Sequence, residues 1–318
     1  MDRNLGELHV VFGGGQVGLP LARLLAQQGK RVRIAKRSAA GVLRGIEVMH
    51  GDATDAAFCF KATEGAAAVY HCMNPPYEAK AWADRLPKFM DNLVAAAGRA
   101  AARLVVLDNV YMLGRPVGKA FDESSPMNPC SRKGEIRARI AEKLFAAHAR
   151  GDVEAIVGRA SDFYGPGGTL THVGDQFWPA ALAGKRARLV VDPDVLHTYH
   201  YIPDVAQGLA TLAGAETADT GQAWMLPCAP AGTLRELVHG FSEKLGKDIR
   251  LSAMPRWMMR SLGLFVGTLR ELNEMAYQWE APFAINDQRF RARFTVEPTP
   301  PHEADQQTVE WARSHYPS

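Results

Sequence analysis

One stretch near the amino end constrains this chain more than any other: His9-Val10-Val11-Phe12 runs straight into Gly13-x-Gly15-x-x-Gly18. An apolar strand ends there, and Leu21, Leu24 and Leu25 then recur on one face of a helix. Glycines at those three positions serve a tight turn, close approach of backbone N–H groups to a pyrophosphate, and close packing of helix on strand. The helix start adds partial positive charge and unpaired amides. Gly13, Gly15, Gln16, Val17 and Gly18 therefore read as a turn that cradles a nucleotide; the competing reading is a glycine turn with no ligand.

Beyond the first helix, Arg31 to Ala35 alternates as a second strand and ends at Lys36-Arg37-Ser38. In a dinucleotide fold the end of this strand meets the adenosine ribose, where a carboxylate accepts from the 2′-hydroxyl of NAD. No acid stands there. Lys36 and Arg37, with Ser38, offer donors for a 2′-phosphate, and the arginine fork suits it best, so NADP is expected, with NAD the alternative. A solvated basic turn is the reading without a ligand.

Gly45 to Asp55 reads as a strand, a loop and a helix start that Thr54 or Asp55 caps. Asp52, at the strand end, is placed to accept from an adenine amino group, with Ala53 beside it. Ala67 to Cys72 makes a fourth strand and Arg103 to Leu107 a fifth, with helical spacing from Trp82 to Ala102 between them. Strand and helix alternate, which implies right-handed crossovers, a parallel sheet and ligands at the carboxyl strand ends.

The chain has 318 residues and 47% apolar content, enough for one domain plus a subdomain. A net charge of +3 is too small and dispersed for a nucleic-acid partner. Cys59, Cys72, Cys130 and Cys228 lie far apart with no CxxC spacing, as for reduced thiols in a cytoplasmic protein without a metal site. Met1-Asp2-Arg3-Asn4 is polar, so no secretory segment is expected ahead of the first strand. Trp257 to Phe265 is apolar but too short, and interrupted by Arg260, to span a membrane, and no membrane partner is expected.

The order of these features resembles the extended short-chain dehydrogenase/reductase superfamily, in its epimerase/dehydratase branch, over roughly the first two thirds of the chain. The resemblance rests on the glycine turn, on Gly51-Asp52-Ala53-Thr54-Asp55, on Tyr111-Met112-Leu113-Gly114, on Gly158-Arg159-Ala160-Ser161-Asp162-Phe163-Tyr164-Gly165-Pro166-Gly167 and on His200-Tyr201-Ile202-Pro203-Asp204-Val205-Ala206. It implies an α/β fold, a Rossmann-type doubly wound parallel sheet with a smaller C-terminal substrate subdomain. The implied layout joins residues 1–167 with 196–216 as the dinucleotide-binding domain, and 168–195 with 217–318 as the substrate subdomain. Asp52 then resembles the family's adenine-contacting residue, and Cys72, Met73 and Asn74 its loop beside the cofactor ribose.

The pattern breaks at the catalytic positions. The family carries Ser or Thr after the fifth strand and a YxxxK pair on the next helix; the tyrosine moves a proton while the lysine lowers its pKa and holds the ribose. Here Asn109 stands at the Ser/Thr position, Lys133 at the tyrosine and Arg137 at the lysine. Tyr111 falls where related sugar dehydratases place a catalytic glutamate, and near Lys133 and Arg137 a lowered phenol pKa would suit it to acid or base work. Lys133 is the second candidate. The structural alternative packs Tyr111 in the core and leaves Lys133 and Arg137 gripping phosphate or on a solvated face with Arg139.

Asp162 stands where the family has an asparagine facing cofactor and substrate, or is only a turn residue. His197 replaces the arginine that clasps the diphosphate of sugar nucleotides, which disfavours such substrates. His172, His197 and His200 are too irregularly spaced for a metal site. Thr233 and Glu236 form a capping-box pattern, Ala304 to His315 reads as a closing helix, and the run from Trp257 to Trp279, rich in Met, Leu and aromatics, reads as core or as the lining of an apolar cleft. The combined expectation is an NADP-preferring oxidoreductase acting on a small apolar or aromatic carbonyl or alcohol, with a homodimer left open. An epimerase or dehydratase that retains its nicotinamide is the close alternative, and a non-catalytic NADP(H) sensor the rival of another class.

Overall fold

The structure is a computed structural model that describes residues 6–38 and 43–316; the polar start Met1 to Asn4 lies outside them. The chain divides into two compact units, one made of Met1–Met112, Arg132–Arg159 and Ala206–Trp224, the other of Leu113–Ser131, Ala160–Val205 and Met225–Ser318.

The first unit is built on β1 (Leu8–Phe12), β2 (Arg31–Lys36), β3 (Ile46–His50), β4 (Ala66–His71), β5 (Arg103–Asp108) and β6 (Ala155–Arg159). These pair in parallel in the order β6-β5-β4-β1-β2-β3, and the strand Ala223–Met225 lies beside β6. The order reverses direction at β1, so the carboxyl ends of β1 and β4 open on the crevice where such sheets take ligands. All five residues of β1 are buried, as a central strand covered on both faces requires.

Helices α1 (Gly18–Gln27), α2 (Ala56–Thr63), α3 (Ala79–Arg99) and α4 (Arg132–Ala149) supply the covering layers. Periodicity sets which faces they bury: Leu21, Ala22 and Leu25 on α1, and Trp82, Leu86, Phe89, Met90 and Leu93 on α3. Asp55 is the cap of α2, its side chain accepting from the Ala57 N–H at 2.9 Å.

The second unit is assembled from short paired strands and helices. Asp162–Tyr164 pairs in parallel with Tyr199–Tyr201, Ala187–Leu189 in parallel with Leu251–Ala253, and Leu196–His197 antiparallel with Gly232–Thr233. The expected capping box is present: Thr233 and Glu236 satisfy each other's backbone donors at the start of the helix Leu234–Leu245. That helix packs on the closing helix Pro301–His315, and Gly240 is needed there, since a Cβ would collide with the Asp305 carboxylate. Trp178 and Phe241, with ring centroids 5.1 Å apart, anchor this core.

The apolar run from Trp257 to Trp279 is not one stripe. Met259, Met275, Tyr277 and Trp279 are buried, whereas Trp257, Leu262, Leu264, Phe265 and Val266 are exposed, so the expectation of a core stripe holds for only part of the run. The run forms two helices, Arg256–Leu262 and Gly267–Met275, and their connecting turn points its side chains outward.

Candidate functional site

The glycine turn is shaped by backbone contacts that a side chain would prevent. Gly13 has φ of +104°, and a Cβ on it would lie 2.8 Å from the Cys72 carbonyl oxygen. A Cβ on Gly18 would collide with the Gly13 carbonyl, whereas one on Gly15 would meet only open space. The start of α1 has no side-chain cap and no acidic residue in its first turn. Beside it, Gln16 Oε1 is buried without a hydrogen-bond partner. An uncapped helix start and a cradle closed to side chains at Gly13 and Gly18 together fit the pyrophosphate end of a dinucleotide, whereas the Gln16 oxygen calls for a donor.

Strand pairing brings the basic end of β2 to the same place. Phe12 is opposite Ala35, and the Gly13 N–H donates to the Ala35 carbonyl at 2.9 Å. The alkyl stem of Lys36 then lies over Gly14, while Arg37 and Ser38 are exposed just beyond. The strand register also sets His50 opposite Lys36. The spacing in sequence held no sign of this third nitrogen base.

The loop after β4 is fixed by His71. Burial, reinforced by the Arg137 charge, pushes the His71 imidazole pKa down to about 3, so the ring is neutral and its Nδ1 accepts from the Met73 N–H at 3.2 Å. Cys72 lies against Gly13, and burial pushes its thiol up to about 12, which leaves it a packing residue. Asn74 Oδ1 accepts from Arg137 Nη2 at 2.9 Å.

Asp52 is already engaged. Its carboxylate accepts from Arg85 Nη2 at 2.6 Å, from the Thr54 N–H at 2.9 Å and from the Thr54 hydroxyl at 3.0 Å. Burial works to raise its pKa, but the Thr54 N–H and the Arg85 guanidinium outweigh it and hold the carboxyl below its ordinary value. About one acceptor position of four remains for an adenine amino group. Ala53 is buried, and its carbonyl accepts from Asn92 Nδ2 at 2.8 Å.

The residues expected to carry the proton converge at the carboxyl ends of β4 and β5. Tyr111 opens a single 3₁₀ turn just beyond β5, with its backbone N–H held by Asn109 Oδ1 at 3.1 Å. Its ring stacks on Trp82 with centroids 5.9 Å apart and planes 5° from parallel. Its hydroxyl is 3.1 Å from that of Tyr77, either of which can donate. Tyr77, in the loop after β4, went unread in the sequence; the aromatic that follows Pro75-Pro76 was the available signal.

Lys133 is fully buried, at 0% exposure, with Nζ 4.9 Å from the centroid of the Tyr77 ring. One turn along α4, Arg137 is also buried, 3.1 Å from Asp108 Oδ1 and 4.7 Å from the centroid of the Trp82 ring. The alternative of a solvated face shared with Arg139 is thereby corrected: Arg139 alone is exposed, because α4 turns its Lys133 and Arg137 side toward the strand ends. The arrangement is a pair of phenols beside an ammonium, with a guanidinium–carboxylate strut behind them.

In the second unit, Asp162 and His197 meet. Asp162 Oδ2 accepts from Trp279 Nε1 at 2.7 Å and lies 3.1 Å from His197 Nε2 and 3.4 Å from His172 Nε2. Burial opposes ionisation of this carboxyl, but the His172 and His197 rings beside it prevail and hold it well below the usual carboxylate range. His197 Nδ1 is tied to the Gln278 carbonyl at 3.2 Å. Among the described residues no three His, Cys, Asp or Glu side chains are grouped to hold a metal. A cavity of about 470 Å³ in this unit is walled by Val191, Met254, Met259 and Trp279, with Arg235 and Glu280 on its polar side.

Solved structures share this fold over the whole chain. The UDP-N-acetylglucosamine 4-epimerase of Methanobrevibacter ruminantium matches with a TM-score of 0.78 at 16% identity, covering 98% of this chain and 99% of its own. The dTDP-glucose 4,6-dehydratase of Streptomyces venezuelae with NAD bound matches at 0.75 and 20%, covering 96% of each chain. The UDP-glucuronic acid 4-epimerase of Bacillus cereus in complex with NAD matches at 0.77 and 12%, covering 97% and 99%. No curated protein matches by sequence. The model of the NAD dependent epimerase/dehydratase family matches residues 9–226, which span the glycine turn, the phenol pair and α4, and the chain belongs to that family.

Proposed function

We propose that the chain is an NADP-preferring oxidoreductase that moves hydride to or from a small carbonyl or alcohol, with Tyr111 exchanging the proton at the substrate oxygen. The single observation that supports this reading most is the 3.1 Å contact between the Tyr111 and Tyr77 hydroxyls beside the buried Lys133. A phenol that gives its proton to a substrate oxygen is refilled by its neighbour, and the Lys133 ammonium favours the negative charge that develops on the pair. Asn109 and the stacked Trp82 hold Tyr111 in place, and Arg137 fastens the Asn74 loop to Asp108. A bound nicotinamide would supply or take the hydride.

Gly13, Gly15 and Gly18 with the Gln16 and Val17 amides would hold the pyrophosphate, Lys36, Arg37 and Ser38 the 2′-phosphate, and Asp52 the adenine beside Arg85. Asp162 and His197 are assigned to substrate polar groups.

Tyr111→Phe tests the reading: it should keep NADPH affinity and lower turnover on an aldehyde and ketone panel by about 10²–10⁴-fold. Unchanged turnover would remove Tyr111 from the chemistry. Family membership favours a second reading, an epimerase or dehydratase that keeps its nicotinamide bound. Stoichiometric release of oxidised cofactor during turnover supports the first and excludes the second.

A further inference from the structure

The ends of β2 and β3 present one face to the glycine turn, and that face carries a side chain with no role so far. A Cβ on Gly14 would lie 3.7 Å from Ile34 Cγ2 and 3.1 Å from Lys36 Cδ, so Ile34 and Lys36 both point toward the turn. Alternate residues of a strand share a face, and register partners on neighbouring strands point the same way. Val48 is opposite Ile34 and His50 opposite Lys36, which sets the His50 ring beside the Lys36 stem on the turn side. The Gly51 N–H donates to the Lys36 carbonyl at 3.2 Å and holds that register at its last residue. His50 is exposed, and its imidazole has no hydrogen-bond or ion-pair partner among the described residues.

The elements packed around His50 carry almost no acid. Residues 8–50 contain Arg23, Lys30, Arg31, Arg33, Lys36, Arg37 and Arg44, with Glu47 as their one carboxylate. Glu47 alternates to the other face of β3, where it pairs with its register partner Arg33 at 3.0 Å. Helix α1, which packs on both β2 and β3, contributes Arg23 and no Asp or Glu. Asp52, two residues beyond His50, is engaged by Arg85 and Thr54. Lys36, Arg37 and His50 therefore share an edge of the turn with no carboxylate set against them by these elements.

Given the NADP preference proposed above, we infer that His50 is a further ligand of the adenosine 2′-phosphate, beside Lys36 and Arg37, and couples the choice between NADP and NAD to pH. A protonated imidazole donates from both ring nitrogens and pairs with a phosphate dianion, whereas the neutral ring donates from one and carries no charge. Imidazoles ordinarily take their proton between about pH 5 and 8, so the contribution of His50 grows as pH falls through that range. The 2′-phosphate itself gains a proton at about pH 6, which weakens NADP binding on acidification. Wild type and a His50 variant bind the same phosphate, so this effect cancels between them.

Titration calorimetry of the whole protein with NADP and with NAD, at about pH 6 and about pH 8.5, tests the role on wild type, His50→Gln and His50→Lys. His50→Gln should weaken NADP about three- to tenfold at the lower pH and less than about twofold at the higher, and leave NAD unchanged at both. His50→Lys keeps a cation throughout, so it should match wild type for NADP at the lower pH and exceed it at the higher. The side chain is exposed, and unchanged circular dichroism shows that the variants fold. No weakening by His50→Gln, equal weakening of NADP and NAD, or a loss of NADP affinity that is the same at both pH values would each overturn the role of His50. The NADP reading survives those results if wild type still prefers NADP and Lys36→Ser with Arg37→Asp removes the preference. Wild type that binds NADP no more tightly than NAD overturns that reading, and the role of His50 with it.

Discussion

Replacing Arg137 by methionine separates a strut from a catalyst. The Arg137 and Asp108 side chains are 8% and 7% exposed and 3.1 Å apart, and the same guanidinium reaches Asn74 at 2.9 Å. Methionine keeps much of the volume against Trp82 and a favourable sulfur contact with its ring, so the loss is chiefly of charge. Among the described residues, Asp108 is then left with the Asn109 N–H at 2.9 Å as its remaining donor. A buried carboxylate deprived of its cation destabilises a fold by about 3–5 kcal/mol. Adding Asp108→Asn removes the stranded charge, and the double variant should recover at least about 2 kcal/mol relative to the sum of the single changes. Urea unfolding followed by circular dichroism on the wild type, both single variants and the double variant measures the cycle. A loss below about 1 kcal/mol for Arg137→Met, or strict additivity in the double variant, would refute the reasoning.

Further outcomes follow from the same geometry. Gly18→Ala should abolish dinucleotide binding by titration calorimetry while Gly15→Ala weakens it far less at the level of the fold, because only the first Cβ collides with the Gly13 carbonyl. Lys36→Ser with Arg37→Asp should shift the NADP to NAD affinity ratio by about 10–100-fold toward NAD, since it removes the cations and supplies the missing ribose acceptor. Asp305 bears on stability rather than chemistry. Burial pushes its carboxyl up to about 7, with Lys244 opposing and Glu243 adding to the shift. The folded form thus holds a proton that the unfolded chain releases near its ordinary value, so this contribution is full below that value and is lost as pH rises to about 7. Asp305→Asn should therefore flatten the stability profile and raise the melting temperature at about pH 8 relative to wild type, by an amount on the order of 2–4 kcal/mol in unfolding free energy.

The sheet was legible because its strands are short apolar runs between helices of clear period, and β1, β2, β4 and β5 lie within a residue or two of where the alternation puts them. The cofactor turn was legible for a different reason: a backbone that must pass close to itself at Gly13 and Gly18 can only be written in glycine. Tyr77 escaped because its link to Tyr111 crosses 34 residues and two neighbouring strands, a distance that no local pattern encodes. The bond from Trp279 to Asp162 spans 117 residues and was hidden in the same way. Around Trp257 to Phe265 composition misled, since methionine, leucine and aromatic residues spell an inward face and an outward one alike.

Titration calorimetry of the purified protein with NADP and with NAD tests the central claim most directly. Uptake of one dinucleotide per chain, tighter for NADP and lost in Gly18→Ala, is the predicted result. No heat with either nucleotide, from a protein whose circular dichroism shows it folded, would contradict it.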